Sequence, residues 1–400
     1  MTGPGTRGVI VLLGLLQTLG TMTIDLYLPA FPLIAAELNA SDFDLQSTFS
    51  AAMLGMLVGA VLGGSLSDRI GRRPLLLLAA ALHVAGSVLC ASAASVPTLV
   101  AGRFLQGVAA AAVSAAILAC VRDLYTGVRM IRVLAALAVI SGIAIALGPT
   151  IGAALLSIMD WHLLFVSLAA YAAALLVATA LILPETLAVH LRRASTLPAT
   201  LRRLTHDRGF LGLAFAGGFI WAAQYAYLAS SSIVFQQRFG LSQHQYAAVF
   251  AAHAVCMLAG TQIGALAARR TNPMTVLLIC AGGVAVLTAS LALASAVGAG
   301  LAIVVVLLCS FTGMLGAINP GLQSLALAPH GPVAGSAASL LSSLSLLFGA
   351  VASIIPSAFG GGELPAVSGV MAVCTAMGLL SLLVIAVPAR RRVPSEWSTE

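Results

Sequence analysis

Three polar side chains stand in stretches that are otherwise apolar, and their types suit proton and cation chemistry. Asp25 lies in "TIDLYLPAFP" (23–32), at the end of an apolar run that begins near Gly8. Arg103 lies in "GRFLQGVAAA" (102–111), and Gln17 comes eight residues before Asp25. A carboxyl group can take up and release a proton, whereas a guanidinium keeps its charge. A charge near the centre of a membrane span costs about 2.5–3.5 kcal/mol, so such residues usually face a cavity or a partner. Two readings of Asp25 are open: a carboxylate near the interface, where water reduces the cost, or a titratable group lining a cavity. Arg103 likewise either extends toward the interface or fixes acceptors inside the fold and adjusts the proton affinity of Asp25. On a helix Gln17 is about 80° around and about 12 Å along from Asp25. Both can border one cavity, where a neutral amide favours a neutral or hydrogen-bonding ligand and a second carboxylate would favour cations.

Weaker candidates lie further along. Trp221, Gln224 and Tyr225, with Tyr227, give one stretch an aromatic, hydrogen-bonding face. Asn319 and His253 can reach a cavity, whereas His83 is expected to pack or bond locally. Aromatic residues also form belts at membrane interfaces, the structural alternative for this set.

These residues need elements to hold them, and the composition says which. Of 400 residues, 60% are hydrophobic and only 8% charged, and mean hydropathy is +1.07. Soluble domains carry about 25% charged residues, so this chain needs lipid as its solvent. Apolar runs long enough to cross a bilayer as helices recur at about 8–30, 46–67, 74–94, 97–120, 131–157 and 161–184. They continue at about 209–235, 244–268, 273–297, 299–326, 333–356 and 365–388. Alternating ten-residue segments, the mark of a membrane β-barrel, do not stand out. On this reading Asp25 falls in the outer third of span 1, and Arg103 is the one arginine within a span.

All nineteen basic residues are arginines. With both termini in the cytoplasm, the inner segments hold Arg7; Arg69, Arg72 and Arg73; Arg122, Arg129 and Arg132. They also hold Arg192, Arg193, Arg202, Arg203 and Arg208; Arg269 and Arg270; and Arg390, Arg391 and Arg392. The outer loops carry Glu37, Asp42, Asp44, Asp160 and Glu363, with Arg238 as the exception. This is the positive-inside pattern. It accounts for the net charge of +7 and argues against a nucleic-acid partner. The polar stretch 185–208 separates residues 1–184 from 209–400, two sets of six spans. "GSLSDR" from Gly64 and "GALAAR" from Gly264 echo each other at half the chain length, as expected of parallel repeats with a substrate site between them. The six cysteines lie in or at the ends of spans without a CxxC pair, so neither disulfide nor metal site is expected.

"GGSLSDRIGRRP" (63–74) is the most specific string. Gly63, Gly64 and Gly71 permit a tight turn and close helix approach. Asp68 suits a cationic neighbour such as Arg122, or a helix N-terminus. Arg69, Arg72 and Arg73 hold the loop inside. In "GIAIALGPTIGA" (142–153), Gly142, Gly148 and Gly152 leave a smooth surface and Pro149 bends the span. By position and residue type the first string resembles the loop signature of the major facilitator superfamily. The strings at 102–111 and 142–153 resemble motifs of its antiporter branch. Asp25, Tyr27, Leu28, Pro29, Ala30 and Pro32 are similar to the first-span signature of the Bcr/CflA drug-resistance transporters; "RDLY" (122–125) and "FGLS" (239–242) also fit.

The resemblance implies an all-α integral membrane fold, with twelve transmembrane helices in two pseudo-symmetric six-helix bundles. It implies a monomeric exporter in a bacterial inner membrane, working by alternating access. Small, mostly apolar drugs of chloramphenicol or bicyclomycin type would leave in exchange for protons. Asp25 and Arg103 would couple protons; Gln17, Asp25, Tyr27, Trp221, Gln224, Tyr225 and Asn319 would bind substrate. Gly64, Asp68, Arg69, Gly71, Arg72 and Arg122 would form the gating loop. Drug, protons and membrane lipid are then the partners, and no cofactor is expected. The sequence has no GxxxxGK[ST] phosphate loop and no lysine, so uphill transport must draw on an ion gradient. A metabolite or sugar transporter of the same fold should carry more paired charges within spans. A membrane enzyme would need a cluster such as His with Asp or Ser, but the seven histidines are scattered over spans and loops.

Overall fold

The computed structural model describes residues 4–188, 204–360 and 363–388. Arg192, Arg193, Arg202 and Arg203 of the polar stretch and Arg390–Arg392 of the tail lie outside them. The described elements are helical, and 12 of the helical stretches are long and apolar enough to cross a membrane. Span 1 comprises α1 (Pro4–Asp25), a 3₁₀ turn (Leu28–Ala30) and α2 (Phe31–Leu38). Spans 2 to 6 are α3 (Asp42–Ile70), α4 (Arg72–Ala91), α5 (Val96–Leu124), α6 (Gly127–Leu156) and α7 (Trp161–Ile182). Spans 7 to 12 are built on α8 (Arg208–Ser232), α9 (Gln243–Arg270), α10 (Pro273–Ala296), α11 (Leu301–Leu327), α12 (Ala334–Gly360) and α13 (Leu364–Ser381).

Span 1 departs from the sequence expectation. It is one apolar path of 31 residues, Gly8–Leu38, interrupted at Asp25. Pro29 has no N–H to give to the Asp25 carbonyl, and its ring crowds that same carbonyl, so α1 stops there. Pro32 does the same to Leu28, and α2 starts afresh. Asp25 therefore sits near the middle of the span rather than in its outer third.

The chain divides into two compact units: residues 1–195 with 229–254, and residues 196–228 with 255–400. In the first unit α3 and α5 approach so closely that a Cβ at Gly55 or Gly59 would strike the α5 backbone at Phe104 or Val108. A Cβ at Gly107 would strike α3 at Ala52 in return. α4 packs on α5 and α7. The second unit repeats the plan: Gly260 lies against Gly313, Gly264 against Ala317 and Gly316 against Met257, while α10 packs on α11 and α13. Paired hydroxyls join α10 to α13, Thr288 to Thr375 at 2.7 Å and Ser295 to Ser368 at 2.9 Å. At the start of α8, Asp207 caps the Phe210 N–H and stands 3.1 Å from His330.

The packing corrects the register of the sequence echo by one residue. Gly64 faces open space; Gly63 is the residue that lies against α5, at Ala112. Gly63, not Gly64, thus does in the first unit what Gly264 does in the second.

Candidate functional site

Span 1's break places Asp25 at the C-terminal end of α1, buried in the first unit at 5% exposure. An anion there meets the negative end of the helix dipole. The charged group that acts on it is Arg103 of α5, which is fully buried. Interfacial extension of Arg103 is thereby excluded. Its guanidinium lies 3.8 Å from the centre of the Tyr27 ring and donates from one terminal nitrogen to Gln106 Oε1 at 2.8 Å. Its Nε and other terminal nitrogen have no hydrogen-bond acceptor among the described residues. A buried guanidinium with two unused donors is costly unless a carboxylate can reach it.

Tyr27 differs from its expected place on the substrate surface. It is fully buried, its hydroxyl is 3.2 Å from Thr48, and its ring packs on Phe31 and Phe165. Here it seats Arg103. Gln17 is half-buried on α1 and donates to Ser114 of α5 at 3.3 Å.

The glycine motif of α6 is the wall behind Asp25. A Cβ on Gly148 would stand 2.9 Å from the Asp25 Cβ, and one on Gly152 would strike the Leu26 carbonyl. Gly142 is buried on the same helix. Small residues here let α6 close on the break in span 1, where a larger side chain would displace the carboxylate.

The gating loop pairs differently from the expectation. Asp68 accepts from Arg72 at 2.6 Å, and Arg72 also pairs with Asp123 of α5 at 2.9 Å. Arg122 is exposed one residue away and does not take this place. The reason is local: with Gly71 at φ 107° the chain turns sharply, and Arg72 points back between the two carboxylates. Glu185 receives the Arg72 backbone N–H at 2.9 Å, at the start of α4. Arg69 is exposed. Asp123 and Glu185 were not singled out from the sequence, although "RDLY" and the acid after Pro184 were visible signals.

In the first unit the segment 229–254 is tied to spans 1 and 2. Gln46 donates to Ser230 at 2.9 Å, and Gln236 donates to the Pro29 carbonyl at 3.2 Å. Tyr246, on which Asp25 acts, shares a 2.8 Å hydrogen bond with Ser231. In the second unit Trp221 and Tyr225 place their ring centres 5.8 Å apart on one face of α8. Gln224 is buried there with its carbonyl oxygen unpaired among the described residues. Asn319 is half-buried on α11 and accepts from Gln323 at 3.4 Å.

Comparison with known proteins places the chain in a family. The chain is 33% identical over 357 residues to the uncharacterized MFS-type transporter YdgK of Bacillus subtilis (strain 168), covering 88% of this chain and 89% of that protein. It is 32% identical over 228 residues to the multidrug resistance protein MdtL of Escherichia fergusonii, covering 57% of this chain and 58% of that relative. The crystal structure of a D-xylose-proton symporter superposes with a TM-score of 0.73 at 17% identity, covering 97% of both chains, a likeness of fold. The sequence profile of the Major Facilitator Superfamily matches residues 13–353. With twelve spans, repeated helix pairings in its two units and a match over most of its length, the chain is a transporter and not an enzyme, and belongs to the major facilitator superfamily.

Proposed function

We propose that the protein is a proton-coupled exporter of small, mostly apolar drugs, of chloramphenicol or bicyclomycin type, in a bacterial inner membrane. The observation that carries the reading is that Asp25 and Arg103 are both buried in the first unit, with Arg103 seated on the Tyr27 ring. It combines a titratable carboxyl at a helix break with a permanent cation that keeps donors free. A carboxyl that trades a proton for an ion pair with Arg103 links protonation to the position of span 1. An exporter that takes up a proton on one side and a drug on the other needs that link. The similarity to a relative named as a multidrug resistance protein supports the drug class. Trp221, Tyr225 and Gln224 supply flat apolar contact with one hydrogen-bonding group, chemistry suited to a drug with few polar atoms. Asp68, Arg72 and Asp123 would latch the cytoplasmic loop in one access state.

The deciding experiment is expression in a host lacking its own pumps, with minimal inhibitory concentrations for chloramphenicol and bicyclomycin. A rise of fourfold or more for either drug, lost when the proton gradient is collapsed, is the expected result. No change for either drug, with the protein present in the membrane, would overturn the proposed drug class. Gradient-dependent uptake of a sugar by the same cells would replace it with a metabolite transporter.

A further inference from the structure

A run of buried hydrogen bonds joins α5, α4 and α1, and its direction is fixed by one residue. Arg103 can only donate, so the Gln106 oxygen faces it, at 2.8 Å. The Gln106 amide nitrogen then donates to Ser87 Oγ at 2.8 Å. The Ser87 hydroxyl, 3.3 Å from His83 Nδ1, spends its hydrogen there. Of the two tautomers, the one with Nδ1 accepting and the proton on Nε2, 2.7 Å from Thr23 Oγ1, is the one that gives the Ser87 hydroxyl an acceptor. Thr23 in turn donates to the Leu19 carbonyl at 2.7 Å. Thr23, His83, Ser87, Arg103 and Gln106 are all fully buried. With Arg103 at its head, this order gives the Ser87 and Thr23 hydroxyls and the His83 ring N–H an acceptor each.

The charged and titratable groups around this run come from several helices. Arg103 of α5 acts on His83, on Cys90 of the same helix as His83, and on Asp25 and Tyr27 of span 1. Asp25 in turn acts on Tyr246 of α9. On α7, which also packs against α4, Tyr171 is turned to Thr18 and the Leu15 carbonyl, and His162 to Glu37.

We propose that His83 is a positioning residue for Arg103. Held as its Nε2–H tautomer between Thr23 and Ser87, it orients Ser87 and Gln106 so that the guanidinium stays on the Tyr27 ring, at a set separation from Asp25. The inference rests on the reading of Asp25 as the proton-coupling residue. An imidazole suits the place because it accepts on one side and donates on the other. Loss of the Nδ1 acceptor frees the Ser87 hydroxyl, then the Gln106 amide, and finally the Arg103 terminal nitrogen, which can then turn its unused donors to Asp25.

Two amide substitutions separate this role from simple packing. In His83→Asn the side-chain oxygen can stand in for Nδ1 and keep the Ser87 bond while the link to Thr23 is lost. In His83→Gln the amide nitrogen can stand in for Nε2 and keep Thr23 while Ser87 loses its acceptor. The full-length protein in lipid is titrated by infrared spectroscopy, following the carboxyl band that Asp25→Asn removes, so no cargo is needed. The expected result is a midpoint in His83→Gln shifted by about one pH unit, a tenfold change in proton affinity, with His83→Asn near wild type. If both variants match wild type, or both shift alike, the proposal is overturned while Asp25 keeps its assignment. If no Asp25 band titrates in the wild type, the coupling reading fails and takes the inference with it. Nitrogen-15 imidazole NMR of the wild type, with the signal assigned by its loss in His83→Asn, tests the geometry without relying on the titration. An Nε2–H tautomer supports the proposal and an Nδ1–H tautomer overturns it.

Discussion

At the scale of single residues, Asp25 and Arg103 are legible in the sequence because a charge in an apolar run is costly enough to need a reason. Their partners are not legible, because Thr23, Ser87 and Gln106 are residue types that occur on any helix and meet only when three spans pack. Asp25→Asn keeps size and most hydrogen-bonding capacity but cannot carry the proton. The variant is expected to reach the membrane in wild-type amounts and to lose gradient-driven drug efflux in everted vesicles. Efflux at the wild-type rate would remove Asp25 from the coupling. Gln17 offers a test of specificity. It donates to Ser114 across α1 and α5, and a carboxylate in its place can keep that contact once the serine hydroxyl turns to it from the Ala110 carbonyl. Gln17→Glu is expected to extend resistance toward lipophilic cations, by direct attraction in a partly dry site. The readout is the ratio of inhibitory concentrations for a cationic and a neutral drug at matched expression; an unchanged ratio takes Gln17 out of the drug path.

At the scale of elements, two contacts carry most of the consequence. α6 presents Gly148 and Gly152 to the break in span 1, and their spacing in the sequence already announced a smooth helix face. That the face meets Asp25 and Leu26 is a matter of packing. Gly148→Leu forces a side chain into the Asp25 Cβ, and overpacking of this kind costs about 1–3 kcal/mol. The expected outcome is a lower melting temperature in detergent and loss of efflux, while the same change at Gly282, which faces open space, leaves both near wild type. The second contact is Arg72 between Asp68 and Asp123. Arg72→Gln leaves two carboxylates around an uncharged amide; because both acids are partly exposed, at 43% and 23%, the loss in stability is modest, about 1–2 kcal/mol. Turnover is expected to fall by more than drug affinity, measured as kcat against KM for efflux. An equal loss in Arg122→Gln would return the latch to Arg122.

At the scale of the whole molecule, the distribution of arginines proposes an orientation that labelling can check. A cysteine placed at Asp160, between spans 5 and 6, should react with an impermeant maleimide in spheroplasts. One placed at Asn272, between spans 8 and 9, should react only after the membrane is opened. The opposite pattern would invert the topology. The two units also share a device. Glycines on α3 and α5 in one unit, and on α9 and α11 in the other, bring helix backbones into contact without large side chains between them. In lipid, where apolar side chains gain little by leaving the solvent, such close approach is a main source of helix association.

The sequence by itself determined the twelve spans and the family motifs, and it held the two prolines whose effect on span 1 the structure made plain, because each follows from local chemistry. Some twenty apolar residues suffice for a span, prolines remove backbone donors, and glycines at helical spacing mark a contact face. Span ends, the register of the repeat, the partner of Asp68 and the seat of Tyr27 were decided only by the tertiary structure. Each of those depends on which residues of distant helices meet, and a shift of one position, as from Gly64 to Gly63, changes the face a side chain occupies without changing the pattern that announced it.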